Sequence, residues 1–139
     1  MNDDKATRLA LVTGFTLLAV FLPLGLTFEA LHALKVNVYL ASAVRREMWT
    51  LAHAHGNLLG ILCLAFAALA QRITAHDARR LSIARWLVAG AVAMPIGFFL
   101  GGVLNSEGDP SLGIALVPIG GVCLLVALVR AAVASGRES

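Results

Sequence analysis

With 59% hydrophobic and 14% charged residues over 139 positions, the chain is too apolar for a water-soluble domain of its size, which carries roughly 25% charge. The formal charge of +3 comes from basic residues flanking the apolar runs, without interleaved aromatics, so nucleic acid is not an expected partner. Cys63 and Cys123 lie inside apolar runs with no Cys or His at ligand spacing, which argues against a zinc knuckle or a disulfide framework.

The first predicted element follows a short polar lead and is an apolar run over 9–34. It is long enough to span a bilayer and lacks a small-residue cleavage site, so it reads as a retained span. A connection over 35–47 leads to a second span over 48–70. A basic connection over 71–85 follows, then a third span over 86–104, an acidic turn over 105–110 and a fourth span over 112–134. The chain thus predicts an all-α, integral membrane, up-and-down four-helix bundle forming a single transmembrane domain.

Basic residues divide unequally between the two ends of such a bundle. Lys5, Arg8, Arg72, Arg79, Arg80, Arg85, Arg130 and Arg137 fall on the side of the termini, against Lys35, Arg45 and Arg46 on the other. Cytoplasmic loops retain positive charge, so the expectation is a bacterial inner membrane protein with both termini cytoplasmic. Pro23-Leu24-Gly25, Pro95-Ile96-Gly97 and Pro118-Ile119-Gly120 would each fall mid-span, where proline kinks a helix and glycine permits close approach. The first two sit in a short internal echo at an offset of 72 residues, a pattern also found in small transporters. The pairs Gly56/Gly60 and Gly97/Gly101 have small-xxx-small spacing and, with Asn57, predict packing seams that make the second and third spans the tight pair.

Polar groups inside a span are costly without partners, which directs attention to Trp49-Thr50-Leu51-Ala52-His53-Ala54-His55-Gly56-Asn57. His53 and His55 are two residues apart, about 200° around a helix, so they face different neighbours. His53 shares its stripe with Gly56, Asn57 and Gly60, whereas His55 shares an apolar face with Leu58, Leu59 and Leu62. Glu29 and His32, three apart in the first span, lie at a similar depth; Glu-x-x-His is a spacing used by metal sites in bundles. The residues therefore offer His53 and His55 for cofactor binding, and Glu29, His32 and His53 for a metal ion or proton relay. The other reading is a packing seam in a non-catalytic membrane subunit or assembly factor.

His55-Gly56-Asn57-Leu58-Leu59, within its Ala52-His53-Ala54-His55 context, resembles the second-helix signature of haem-copper oxidase subunit I and of small bacterial membrane proteins distantly related to it. The resemblance covers about ten residues. It implies haem b with His55 as an axial ligand and Gly56 as its neighbour. The family's later histidine ligands have no counterpart, since no histidine follows His76, so the chain is not expected to reduce oxygen or to be an enzyme on its own. A second ligand would have to come from His53, His32, Met48, Met94 or another subunit. Four helices leave little room for a porphyrin, so the expected associations are the lipid bilayer and a homo-oligomer or larger membrane complex.

Overall fold

The computed structural model describes residues 4–103, 105 and 108–137. Four long helices pack antiparallel: α1 (Lys5–Ala33), α3 (Ala43–Ile73), α4 (Asp77–Val103) and α5 (Leu116–Ser135), with a one-turn helix α2 (Asn37–Leu40) between the first two. A 3-10 turn, Leu112–Ala115, leads into α5. Each long helix, with that turn counted into the last, is long and apolar enough to cross a membrane. The acidic turn is described only in part, because Leu104, Ser106 and Glu107 lie outside the described residues.

The interior combines many small residues with larger ones such as Leu17, Phe21, Leu59, Phe66, Ile83 and Leu87. Ala6, Ala10, Ala52, Cys63, Ala84, Ala91, Ala127 and Ala134 are buried, while Phe15, Val20, Leu26, Leu58, Ile61, Ile119, Val122 and Leu125 are exposed. This arrangement suits lipid. Hydrocarbon tails are as apolar as leucine, so burying a leucine gains little, and helices associate by close van der Waals contact instead.

The tight contacts form two seams. Between α1 and α3, a Cβ at Gly14 would lie 2.9 Å from the Gly60 carbonyl oxygen, and one at Gly60 would lie 3.1 Å from the Gly14 oxygen. Between α4 and α5, a Cβ at Gly90 would lie 2.6 Å from the Gly120 oxygen, and one at Gly120 would lie 2.9 Å from the Met94 nitrogen. The expected glycine pairing of the second and third spans is thereby corrected. Gly56 and Gly60 face α1, against Phe21 and Gly14, and Gly97 faces Leu116 and Val117 at the start of α5. Gly101 meets only ordinary contacts, from 3.5 Å. A glycine repeat marks a face, but the neighbour that uses it is set by chain topology; here Gly56 and Gly60 serve the pair α1–α3 and Gly97 the pair α4–α5, while α3 meets α4 through larger side chains such as His55 on Phe98 and Trp49 on Phe99, with Gly102 of α4 leaving room for Trp49.

The prolines also divide. Pro23 and Pro95 lie inside α1 and α4. Pro118 is not mid-span: it is the third residue of α5, in the first turn, where the missing N–H would have had no intrahelical acceptor.

The end bearing the termini is tied by one buried arginine. Arg80, 7% exposed, donates to the carbonyls of Thr74 (2.9 Å) and Ala75 (3.1 Å), pairs with Asp77, and places its Nε 3.2 Å from Asp4 Oδ2. Asp4 caps α1, accepting from the Ala6 N–H (3.1 Å) and the Thr7 hydroxyl (2.8 Å). Burial pushes the Asp4 carboxyl up, but the Thr7 and Ala6 hydrogen bonds and the Arg80 charge together outweigh it and hold the pKa below the ordinary 3.8.

Two predictions follow from this packing. Gly90→Ala should lower thermal stability in detergent by about 1–3 kcal/mol, since its Cβ meets backbone, whereas Gly101→Ala should leave it unchanged or raise it through helix propensity. Equal melting temperatures for the two variants would refute the α4–α5 seam. For Asp4, a pKa depressed on folding means its contribution is complete above the unfolded value and lost as pH falls through the folded one. Asp4→Asn, which keeps a capping oxygen, should therefore be less stable at neutral pH and should flatten the loss of stability below a pH of about 4 seen for the unaltered chain.

Candidate functional site

The polar cluster sits near the end of the bundle opposite the termini, and that end is closed by stacked rings. Phe28 of α1, Tyr39 of α2 and Trp49 of α3 stack with centroids 5.3–6.1 Å apart, and Trp49 continues onto Phe99 of α4 at 5.6 Å. Trp49 Nε1 donates to the Phe99 carbonyl at 3.2 Å, and the Arg45 guanidinium lies 5.8 Å from the Trp49 ring centroid. Rings with one apolar face and one polar edge suit a membrane boundary. Arg45 also donates to the Gly102 carbonyl at 3.1 Å, at the C-terminal end of α4, where a cation complements the exposed carbonyls.

The connection expected as a loop over 35–47 is thus mostly structured. α1 ends with the Val36 N–H bonded to the Leu31 carbonyl (3.0 Å) and Lys35 at φ 53°, a left-handed cap on a residue other than glycine. Ser42 caps α3 through the Arg45 N–H at 3.1 Å, so α3 begins at Ala43, ahead of the apolar run. Between them α2 inserts Tyr39, which is 5% exposed.

His53 and His55 point to different helices. His53 reaches α1, where its Nδ1 lies 2.6 Å from the Phe21 carbonyl oxygen. A carbonyl only accepts, so Nδ1 carries a proton in this contact and Nε2 is the ring nitrogen that takes no part in it. The approach requires Gly25: a Cβ there would lie 2.2 Å from the imidazole. Asn57 donates to the His53 carbonyl at 2.9 Å; its close approach to Nδ1 (3.1 Å) is a contact between two donors. The Asn57 Oδ1 is buried without a partner among the described residues.

His55 turns toward α4. Its Nδ1 donates to the Leu51 carbonyl one turn back, at 2.8 Å, and its ring lies on Phe98 with centroids 4.7 Å apart and planes at 34°. The expected apolar wall is split: Leu59 is buried, while Leu58 is 62% exposed. His55 therefore occupies a half-buried position at the α3–α4 edge, with Nε2 the ring nitrogen not used in the bond to Leu51.

Glu29, His32 and His53 are only partly brought together. Glu29 and His53 line one cleft of about 240 Å³ with Thr50, Tyr39, Gly25 and Leu26. His32 instead lies edge-on to Tyr39, at 6.4 Å. Among the described residues, no group of three or more His, Cys, Asp or Glu side chains could hold a metal ion. The reason is the inserted helix: Tyr39 packs onto Phe28, Trp49 and His32 together, engaging the side of His32 that would otherwise turn toward α3.

Of the other residues offered as second ligands, Met48 is buried against Gly102 and Met94 lies against Gly120 and Gly121 of α5. Sequence reasoning missed Gly25, whose role depends on a histidine from another helix, and Tyr39, a single aromatic in a loop-like stretch. The Pro23-Leu24-Gly25 triplet was the available signal for the first. Comparison with protein-family models, with curated proteins and with solved structures finds no match to this chain.

The His53 contact predicts a non-additive pair. Gly25→Ala should destabilise the bundle by about 1–3 kcal/mol through overlap with the imidazole, and the same substitution in a His53→Ala background should cost far less. Additive losses in detergent melting curves would show that the two residues do not meet.

Proposed function

We propose that the protein is a multi-pass inner membrane haem-binding subunit, with cytoplasmic termini, in which His55 supplies an axial nitrogen to haem b. The observation that carries this reading is the state of His55. Its Nδ1–H is spent on the Leu51 carbonyl, so in the neutral ring Nε2 is the donor atom left at a half-buried, aromatic-backed edge. Orientation of a ligating imidazole by a backbone carbonyl is the usual support for a metal-bound histidine.

The donor set also favours a porphyrin over a bare ion. A transition metal held by protein alone needs about three or four side-chain donors, whereas a porphyrin brings four nitrogens and asks for one or two axial ligands. Single histidines on separate faces fit the second requirement. Because the glycine seams hold α1 against α3 and α4 against α5, the interior is filled, and the ring would lie at the lipid-facing α3–α4 edge, completed by a second copy or another subunit. Bound there, haem b supplies one-electron transfer near one membrane face. The side chains present do the rest: Phe98 and Leu58 offer apolar surface, and Leu51 holds the imidazole.

A second reading has its own observation. His53, bonded to Phe21 through the space left by Gly25, is an interhelical tie of the kind a packing seam uses. It supports a non-catalytic membrane subunit in which the histidines serve assembly alone.

Visible spectroscopy separates the two. Protein purified from haem-replete cells should show a Soret band that His55→Ala abolishes, while His53→Ala retains the band and loses thermal stability. Colourless protein from such cells, with no stoichiometric iron, would overturn the haem reading and leave the seam.

A further inference from the structure

A second site lies at the opposite end of the molecule, in the groove between α4 and α5. Arg79, Ser82 and Ile83 form one wall, at helical spacings of three and four; Val129, Arg130, Val133, Ala134 and Arg137 form the other, with the same spacing. The groove encloses about 220 Å³. Among the described residues, no acidic side chain lines it. Arg79, Arg130 and Arg137 make no ion pair or side-chain hydrogen bond among the described residues, unlike Arg80 next door, which pairs with Asp4 and Asp77 and donates to the Thr74 carbonyl.

The depth of the charges matters as much as their number. Arg130 lies seven residues before Arg137 on the same face, roughly 10 Å further along α5 at 1.5 Å per residue. An arginine that far into an apolar helix must extend to the boundary or meet an anion. Val129 and Val133 are half-exposed beside it, while Ile83 and Ala134 form a buried floor. The groove thus combines three cationic donors, a hydroxyl and an apolar wall running toward the membrane centre.

We propose that this groove binds the phosphate headgroup of an anionic phospholipid, with Arg79, Arg130 and Arg137 on the phosphate oxygens and an acyl chain along Val129, Val133 and Ile83. Guanidinium groups recognise phosphate by paired hydrogen bonds, and basic pockets between membrane helices select anionic headgroups. A free phosphate would use the arginines and leave the apolar wall uncovered; a phospholipid uses both.

Native mass spectrometry of the full chain in mild detergent tests this, using added cardiolipin, phosphatidylglycerol and phosphatidylcholine. The unaltered chain should retain an anionic lipid in preference to phosphatidylcholine. Replacing Arg79, Arg130 and Arg137 together by Gln should reduce that retention on the order of tenfold or more, and Arg72→Gln, outside the groove, should leave it unchanged. If the triple variant does not fold, Arg130→Gln alone should still lower retention severalfold. Equal retention of phosphatidylcholine, an Arg72→Gln loss as large as that of Arg130→Gln, or displacement of the lipid by millimolar inorganic phosphate would each overturn the proposal.

Discussion

The close approach of backbones at Gly14/Gly60 and Gly90/Gly120 is the constraint on which the rest of this bundle depends. In a bilayer the exclusion of apolar groups from water is already complete once a helix is inserted, so association must come from contact density and hydrogen bonds. Alanine and glycine at the interfaces let α1 lie against α3 and α4 against α5. Many of the large apolar side chains are then left facing outward, where lipid suits them.

That closeness decides how polar side chains are satisfied. His53 can reach the backbone of α1 only because Gly25 and Gly56 leave room, one for the imidazole and the other for the Phe21 ring. Arg80 and Arg45 follow the same logic at opposite ends, each turning a guanidinium onto backbone carbonyls that helix ends leave unpaired. His55 differs from all three. Its hydrogen bond stays within its own helix and only its ring face meets α4, on Phe98, so its other nitrogen is left at the edge of the bundle. A polar residue at that depth with no hydrogen bond to another helix is the one to which the proposed ligand is assigned.

The two ends of the molecule are built differently. One is closed by the ring stack of Phe28, Tyr39, Trp49 and Phe99, which ties all of α1 to α4 near the boundary. The other is closed by Arg80 and its carboxylates, with a basic groove alongside. A haem-binding edge near the first end and a lipid-binding groove at the second would divide electron transfer from membrane anchoring. The excess of basic side chains at the end bearing the termini would then also supply the lipid contacts.

The sequence by itself determined the class of the protein, its four helices and the separation of the two histidines. These depend on composition, run length and helical period, which are local quantities. The 200° between His53 and His55 holds in any helix; that one meets Phe21 and the other Phe98 does not follow from it. The pairing of helices through their glycines, the first-turn position of Pro118, the insertion of Tyr39 and the exclusion of His32 from the His53 cleft were decided only by the tertiary structure. A glycine face or a Glu-x-x-His spacing states what a helix offers. Which neighbour accepts the offer depends on the angle at which a distant segment arrives, and no local pattern encodes that angle.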